Sequence, residues 1–339
     1  MFDYTLLSMT KSILFIGGTG IISSACSPLV LAQGDNLFLL NRGESIRPVA
    51  AGAQVIHADI RQDPGALARA IRQHHIDVVV DWIAFHAEEV QRDVDACLGE
   101  VEQYVFISSA SAYQKPVQRL PITEETPLVN PFWEYSRNKA ACEALLMKPH
   151  RERSFPVTIV RPSHTYDKTL LPFHGGWTVV DRMRRGLPVI IHGDGTSIWV
   201  LTHHRDFAVG FVGLLGNPAA IGEAVHITSD ELLTWNAIFD YVARAAGLEL
   251  KVVHIPSGVI AKYDASWGAS LLGDKAHSVI FDNSKIRRLV PAFDPQIPFS
   301  EGSHEIVAWY DANPQFKVVD DQTNHLHDRI IADFQKIKE

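Results

Sequence analysis

Tyr135 and Lys139 stand four positions apart in a stretch, Phe132 to Met147, whose period predicts a helix, so their side chains share one face. A neighbouring ammonium favours the phenolate, and a phenol tuned in this way can take a proton from an alcohol or return one to a carbonyl. Taken alone, the pair would be an ordinary structural one. It is joined by the run Ile107, Ser108, Ser109, Ala110, Ser111, Ala112, Tyr113, a hydroxyl cluster closing a predicted strand. Open α/β sheets bind ligands at that edge. Ser109 is the choice for the group that hydrogen-bonds the reacting oxygen, and it completes a catalytic set with Tyr135 and Lys139. The alternative is that these serines are turn formers or helix caps.

A second constellation lies upstream. Gly17, Gly18, Thr19, Gly20, Ile21, Ile22 and Ser23 follow the first predicted strand and open a helical pattern. Glycines allow a tight turn and close backbone approach, and the helix N-terminus offers free N–H groups to a pyrophosphate. Gly17, Thr19, Gly20, Ile21 and Ile22 are therefore the expected contacts of a dinucleotide. Ser23, at the place of a third glycine, is small enough for close helix–sheet packing. The second strand ends in Asn41, Arg42 and Gly43, without the acidic residue that takes the ribose hydroxyls of NAD. An arginine there suits the 2′-phosphate of NADP, so the expected cofactor is NAD(P), with NADP ahead of NAD. A solvated surface arginine is the alternative. Asp59 and Ile60, after the third strand, are placed at the adenine, or else in an ordinary approach loop.

These residues need a parallel sheet to hold them. Runs rich in Val, Ile and Phe (SILFIG, NLFLL, QVIHA, DVVVDW, QYVFIS, VTIVR) alternate with helical segments after Gly20, over Pro64–Gln73, over Glu88–Leu98 and over Phe132–Met147. That alternation predicts repeated βαβ units. The fold class is α/β, a Rossmann-like doubly wound parallel sheet with a smaller C-terminal substrate-binding lobe. Residues 11–165 form the cofactor domain, with AVHITS (224–229) as a returning strand. Residues 166–320 mostly form the lobe, and 321–339 a C-terminal helix.

Composition narrows the class. The 339 residues are 46% hydrophobic, enough to bury one large core or two unequal ones. A formal charge of −8 without a dense basic run disfavours nucleic acid as a main partner. Cys26, Cys97 and Cys142 are too few and scattered for a disulfide framework or a zinc site, and the sixteen histidines show no metal-ligand spacing, so no metal is expected. The opening MFDYTLLSMT lacks the basic and apolar regions of a signal peptide, and no apolar stretch is long enough to span a bilayer. A cytoplasmic enzyme acting on a small molecule, without membrane association, is expected. A homodimer would suit the fold.

In their order, GGTGIIS, FISSASAY, YSRNK and VRPSHTY resemble the extended short-chain dehydrogenase/reductase superfamily, the NAD-dependent epimerases and dehydratases. The likeness runs from Ile13 to Tyr166 and continues more loosely through HGDGT, HHRDFA and FDNSKIRR. It implies that Lys139 also binds the nicotinamide ribose and that Pro162, Ser163 and His164 line the nicotinamide end. It further implies that Ala84, Phe85 and His86 cover the cofactor and enter the active site. Tyr135 then touches cofactor and substrate alike, and His86, Ser111 and His164 join the substrate contacts; a structural role for His164 is the alternative. Ala110 and Ser111 stand where the family's dehydratases and decarboxylases carry acids, which disfavours elimination. What remains is reversible oxidation of a secondary alcohol, by an epimerase or oxidoreductase, on a sugar or sugar-like compound, phosphate- or nucleotide-linked forms included. Trp199 replaces the arginine that nucleotide-sugar enzymes set on the diphosphate, and an indole has no charged fork to offer. It either lines the pocket or packs in the lobe core. NRG and HHRDFA also resemble the chloroplast stem-loop-binding branch, so an RNA-binding or scaffold protein is the alternative function. The acidic charge and the Tyr135/Lys139 pair argue against it.

Overall fold

The first strand places Ile13 and Phe15 on one face of a sheet and Leu14 and Ile16 on the other, all fully buried. Apolar residues on both faces mark a central parallel strand covered by helices on each side. The computed structural model, which describes residues 10–338, has that arrangement. The opening segment of residues 1–9, like Glu339, lies outside the described residues. Strands β1 (Ser12–Ile16), β2 (Asn36–Asn41), β3 (Gln54–His57), β4 (Val78–Asp81), β5 (Gln103–Ile107) and β6 (Val157–Pro162) are the six expected ones. The segment AVHITS supplies β7 (Ala224–Ile227), parallel to β6. The order is β3-β2-β1-β4-β5-β6-β7, parallel throughout.

The helices form two layers. One holds α2 (Ala66–His74), α3 (Ala87–Cys97) and α4 (Glu134–Arg153), whose Leu67, Val90, Val94 and Leu146 pack with Leu14 and Ile16. The other is built from α1 (Ser23–Ala32) and the helix His204–Val212, with Phe207 and Phe211 beside Ile13 and Phe15. Helix α4 runs past the expected Met147 to Arg153 with Pro149 inside it. The proline forfeits one N–H, but the amides of Ser154 and Phe155 close the end on the carbonyls of His150 and Pro149. Asp81 ends β4 in register with Ile16 and Phe106, so the loops after β1, β4 and β5 emerge level at one sheet edge. That edge includes the point where the chain order reverses, between β1 and β4.

Residues 166–320 contribute β7, the helix His204–Val212 and Ile286, Val290 and Phe293 to this half, and much of the rest builds a second core. Trp177, Trp199, Trp235, Phe239 and Phe299 are buried together there, with two-stranded pairs such as Val189–His192 with Val252–Ile255 at its margin. The terminal helix Asp321–Lys338 closes a smaller cluster through Ile330 and Ile331, against Trp267. Among the described residues no helix is long and apolar enough to cross a membrane.

Candidate active site

The turn after β1 brings backbone to the sheet edge. Gly17 (φ 96°) and Gly18 (φ 86°) adopt conformations that favour glycine, and a Cβ on Gly17 would sit 2.8 Å from the Ile83 side chain. Ser23 does more than fit: it is 1% exposed, and its hydroxyl accepts the Gly20 amide at 2.8 Å, closing the turn. Beside the turn lies a groove of about 490 Å³ lined by Gly17, Thr19, Asn41, Arg42, Asp59 and Ile60. Close-packed glycines, a helix start and a groove at the second strand fit the adenosine and pyrophosphate of a dinucleotide. Asn41 ties the groove together, donating towards the Gly17 carbonyl and accepting from the Gly43 amide. Arg42 is half-exposed and paired with Glu44 at 2.9 Å.

At the end of β5, Ser109 and Ser111 share a hydrogen bond of 2.9 Å, and Ser136 on α4 donates to Ser111 at 2.9 Å. Tyr135 sits one residue before Ser136 and Lys139 one turn on. The Lys139 ammonium is buried and donates to the carbonyls of Ala84 (2.7 Å) and Ile107 (2.8 Å), the chain exits of β4 and β5. The rings of Phe85 and Phe106 lie 4.7 and 4.8 Å from it. Burial lowers its pKa to about 8, against the pull of Asp81. The expected lowering of the phenol by this ammonium is not found. Burial raises the Tyr135 pKa, a hydrogen bond with Ser109 opposes the rise, and the Asp274 carboxylate adds to it. The phenol is thus held protonated, a proton donor in the resting site.

A cavity of about 280 Å³ opens beside these residues, and Ile22, Ser109, Ser111, Tyr135, Pro162 and Ser163 line it. His164 and Trp199 line it too, from the lobe side. Trp199 is 3% exposed and also belongs to the lobe core, so the two expected placements coincide in one indole, whose Nε1 has no partner among the described residues. Burial keeps His164 neutral, with a pKa lowered to about 3. His86 lies elsewhere: it is exposed in an open hollow on the far side of Trp133 and Tyr135, where Glu89 accepts the amides of Phe85 and His86 and fixes the turn.

Two wall residues escaped the sequence reading. Asp274 and Lys275 enter the cavity from Leu271–Lys275, a π-helical turn. Such turns recur at functional sites. The available signal was an adjacent opposite-charge pair inside the otherwise apolar run ASWGASLLGDKA. Asp274 lies 3.6 Å from the buried ammonium of Lys115. Among the described residues no cluster of three or more His, Cys, Asp or Glu could hold a metal ion.

Comparison with known proteins fits this geometry. Residues 13–228 match the model of the NAD dependent epimerase/dehydratase family. The chain belongs to that family. Among relatives of this epimerase/dehydratase chain, 2′-dehydrokanamycin reductase of Streptomyces kanamyceticus is 26% identical over 84% of the chain and 80% of its own length. The chloroplast stem-loop binding protein of 41 kDa b of Arabidopsis thaliana is 29% identical over 74% of the chain and 68% of its length, in line with the second resemblance. In fold, the chain matches UDP-glucuronic acid 4-epimerase of Bacillus cereus in complex with UDP-glucuronic acid and NAD. The TM-score is 0.71 at 20% identity, covering 89% of this chain and 99% of that one. The NAD-dependent epimerase/dehydratase family thus accounts for the glycine turn, the sheet order and the cofactor class together.

Proposed function

We propose that this family member catalyses reversible NAD(P)-linked hydride transfer at a secondary alcohol or ketone of a sugar or sugar-like molecule, with Ser109, Tyr135 and Lys139 as the reacting centre. The observation that carries this is Tyr135 lining one cavity with Ser109, one helical turn from a buried Lys139 at the carboxyl edge of the sheet. A nicotinamide held there would supply or accept the hydride. In the reducing direction Ser109 holds the carbonyl oxygen and Tyr135 gives it a proton; in the oxidising direction the proton returns. Lys139 holds the chain exits of β4 and β5 beside Tyr135 through the Ala84 and Ile107 carbonyls, and Gly17, Thr19, Gly20, Ile21, Ile22, Asn41, Arg42, Asp59, Ile60, Ala84, Pro162 and Ser163 would hold the cofactor together with Tyr135 and Lys139. Ala110 and Ser111 offer no carboxylate to move a carbon-bound proton, which favours epimerisation or net reduction over elimination. The three free cysteines, all buried, suit a reducing cytoplasm.

The test is NAD(P)H-linked turnover across keto-sugars and their alcohols, followed by Tyr135→Phe on whichever compound reacts. Turnover is expected to fall by about two to four orders of magnitude with cofactor affinity unchanged. Retention of more than a tenth of the activity would show that another group moves the proton. Arg42 favours NADP over NAD in this reading, and Arg42→Asp should shift preference towards NAD. Equal affinities for both cofactors before and after the change, by calorimetry, would leave Arg42 as a surface partner of Glu44. A second reading, RNA binding, rests on the chloroplast relative; salt-sensitive retention of RNA on a filter would support it.

A further inference from the structure

The cavity beside Ser109 does not end at its lobe wall. A second cavity of about 240 Å³ lies behind it, and His164 and Lys275 line both. Its walls include the rings of Phe173, Phe239, Trp235 and Trp267, with Phe173 and Phe239 only 4.2 Å apart. It exceeds the roughly 150 Å³ of an apolar cavity that admits benzene. Among the described residues His327, 1% exposed, has no partner for either ring nitrogen, and the buried His164 Nε2 has none. Burial holds His164 and His327 down to about 3 and His192 to about 4, and lowers His174, so these imidazoles are neutral donors and acceptors. Apart from Lys275 at its mouth, the inner chamber is therefore aromatic, polar in places and uncharged.

The throat between the chambers is different. The Lys275 ammonium lies 5.3 Å from the Trp133 ring and 5.8 Å from the Trp199 ring, and it makes no hydrogen bond or ion pair within the described residues. The charged groups facing it are Asp274 and, beyond that carboxylate, Lys115, so two ammoniums share one carboxylate. One positive charge is left over. Ring faces return part of what an ammonium loses on leaving water, and an anion would return the rest.

We propose that the substrate is an organic anion carrying a single carboxylate or phosphate. That group is held by Lys275 at the throat, an uncharged ring or apolar body occupies the inner chamber, and the secondary alcohol or ketone stands at Ser109 and Tyr135. This rests on the outer cavity being the substrate site, as proposed above. One spare positive charge suits one anionic group rather than a diphosphate, and it repels a polyamine.

The test is binding to the full-length protein, with and without saturating NADPH, followed by tryptophan fluorescence. Phenyl phosphate should bind at least tenfold more tightly than phenol, inorganic phosphate or UDP. Lys275→Met should bring phenyl phosphate down to the level of phenol, while Lys275→Arg restores it. Leu171→Trp, which fills the inner chamber, should bring it down to the level of inorganic phosphate. Equal binding of phenol and phenyl phosphate by the unmodified protein would overturn the anion site. Equal binding of phosphate and phenyl phosphate would overturn the chamber, and tighter binding of UDP would overturn the single-anion class. The same titration on Tyr135→Phe separates the two proposals. A failed preference with turnover abolished removes only the ligand class, and an intact preference with turnover retained removes only the hydride-transfer site.

Discussion

Two regions of the molecule treat their buried polar groups in opposite ways. Behind β5 they form a closed network. Glu143 of α4 accepts from the Ser108 hydroxyl and from Arg161 of β6, whose Nη2 lies 2.6 Å from Oε2. Arg161 Nη1 donates to the Tyr113 hydroxyl (3.1 Å) and the Glu124 carbonyl (3.0 Å). His226 must donate its Nε2 proton to the Asp282 carbonyl, so its Nδ1 accepts the Tyr113 proton at 3.0 Å. On the lobe side, by contrast, His164 Nε2, Trp199 Nε1, the Tyr166 hydroxyl and both nitrogens of His327 are buried without a partner among the described residues. Buried polar groups are nearly always paired, so the network reads as structure and most of the orphans read as places kept for something else. The network holds Ser108, and with it Ser109, against α4, where Tyr135 and Lys139 stand. It is the rigid side of the site, and the lobe is the adaptable side.

The largest expected effect tests the rigid side. Arg161→Met preserves much of the side-chain bulk but leaves the Glu143 carboxylate, 3% exposed, without its cation. Breaking a buried pair on one side costs about 3–5 kcal/mol, read as a fall in the urea midpoint at constant slope. Activity should fall as well, because Glu143, which accepts the Ser108 hydroxyl at the strand end, loses the cation that fixes it. A cost below about 1 kcal/mol would mean that the network holds nothing in place.

The next effect belongs to Lys139, which is paired only with neutral carbonyls. Its pKa is about 8 in the folded protein, against an ordinary 10.5. Below pH 8 both states carry the charge and the penalty of burying it is fully present. Between 8 and 10.5 the unfolded chain alone keeps the proton, so stability from this group rises with pH. Lys139→Met lacks this dependence. The stability difference between the two proteins should move in favour of the unmodified one by up to about 3 kcal/mol between pH 7 and 10.5. Parallel pH profiles from urea unfolding would show that the ammonium is not buried at a cost.

The two sides also differed in how far they could be read from sequence. The sheet was legible because β1, β2, β4, β5 and β6 are buried on both faces and so appear as largely apolar runs, while the half-buried edge strand β3 keeps only Val55 and Ile56, and even β7 stood out as AVHITS. Ser109, Tyr135 and Lys139 were legible as candidates because helix period and a strand end fix their relation within a few residues. What spacing could not supply was direction. Lys139 is on the expected helix face, yet its ammonium turns to the Ala84 and Ile107 carbonyls, and burial decides the state of Tyr135. His86 lies just before α3, and the Glu89 bonds that set this turn leave its side chain outside the cavity. Asp274 and Lys275 reach the cavity through a π-helical turn, which has no hydrophobic period to announce it, from a segment more than a hundred residues beyond Tyr135.

The smallest effect is the sharpest comparison, because two tyrosines differ in little but their partners. Tyr113 and Tyr166 are both 0% exposed. The Tyr113 hydroxyl sits between Arg161 and His226, whereas that of Tyr166 meets none and abuts Gly302, where an added Cβ would lie 2.1 Å away. Tyr→Phe removes the same atom from each. At Tyr113 it strands a guanidinium N–H and an imidazole nitrogen, and should cost about 1–3 kcal/mol. At Tyr166 it removes a buried hydroxyl that already lacks a partner, so the loss of packing is offset by a relieved desolvation penalty. Stability should stay within about 0.5 kcal/mol of the unmodified protein, or rise. Equal costs at the two sites in urea unfolding would mean that the Tyr166 hydroxyl has found a partner in solution. The lobe would then be as closed as the network, and the contrast between its two sides would fail.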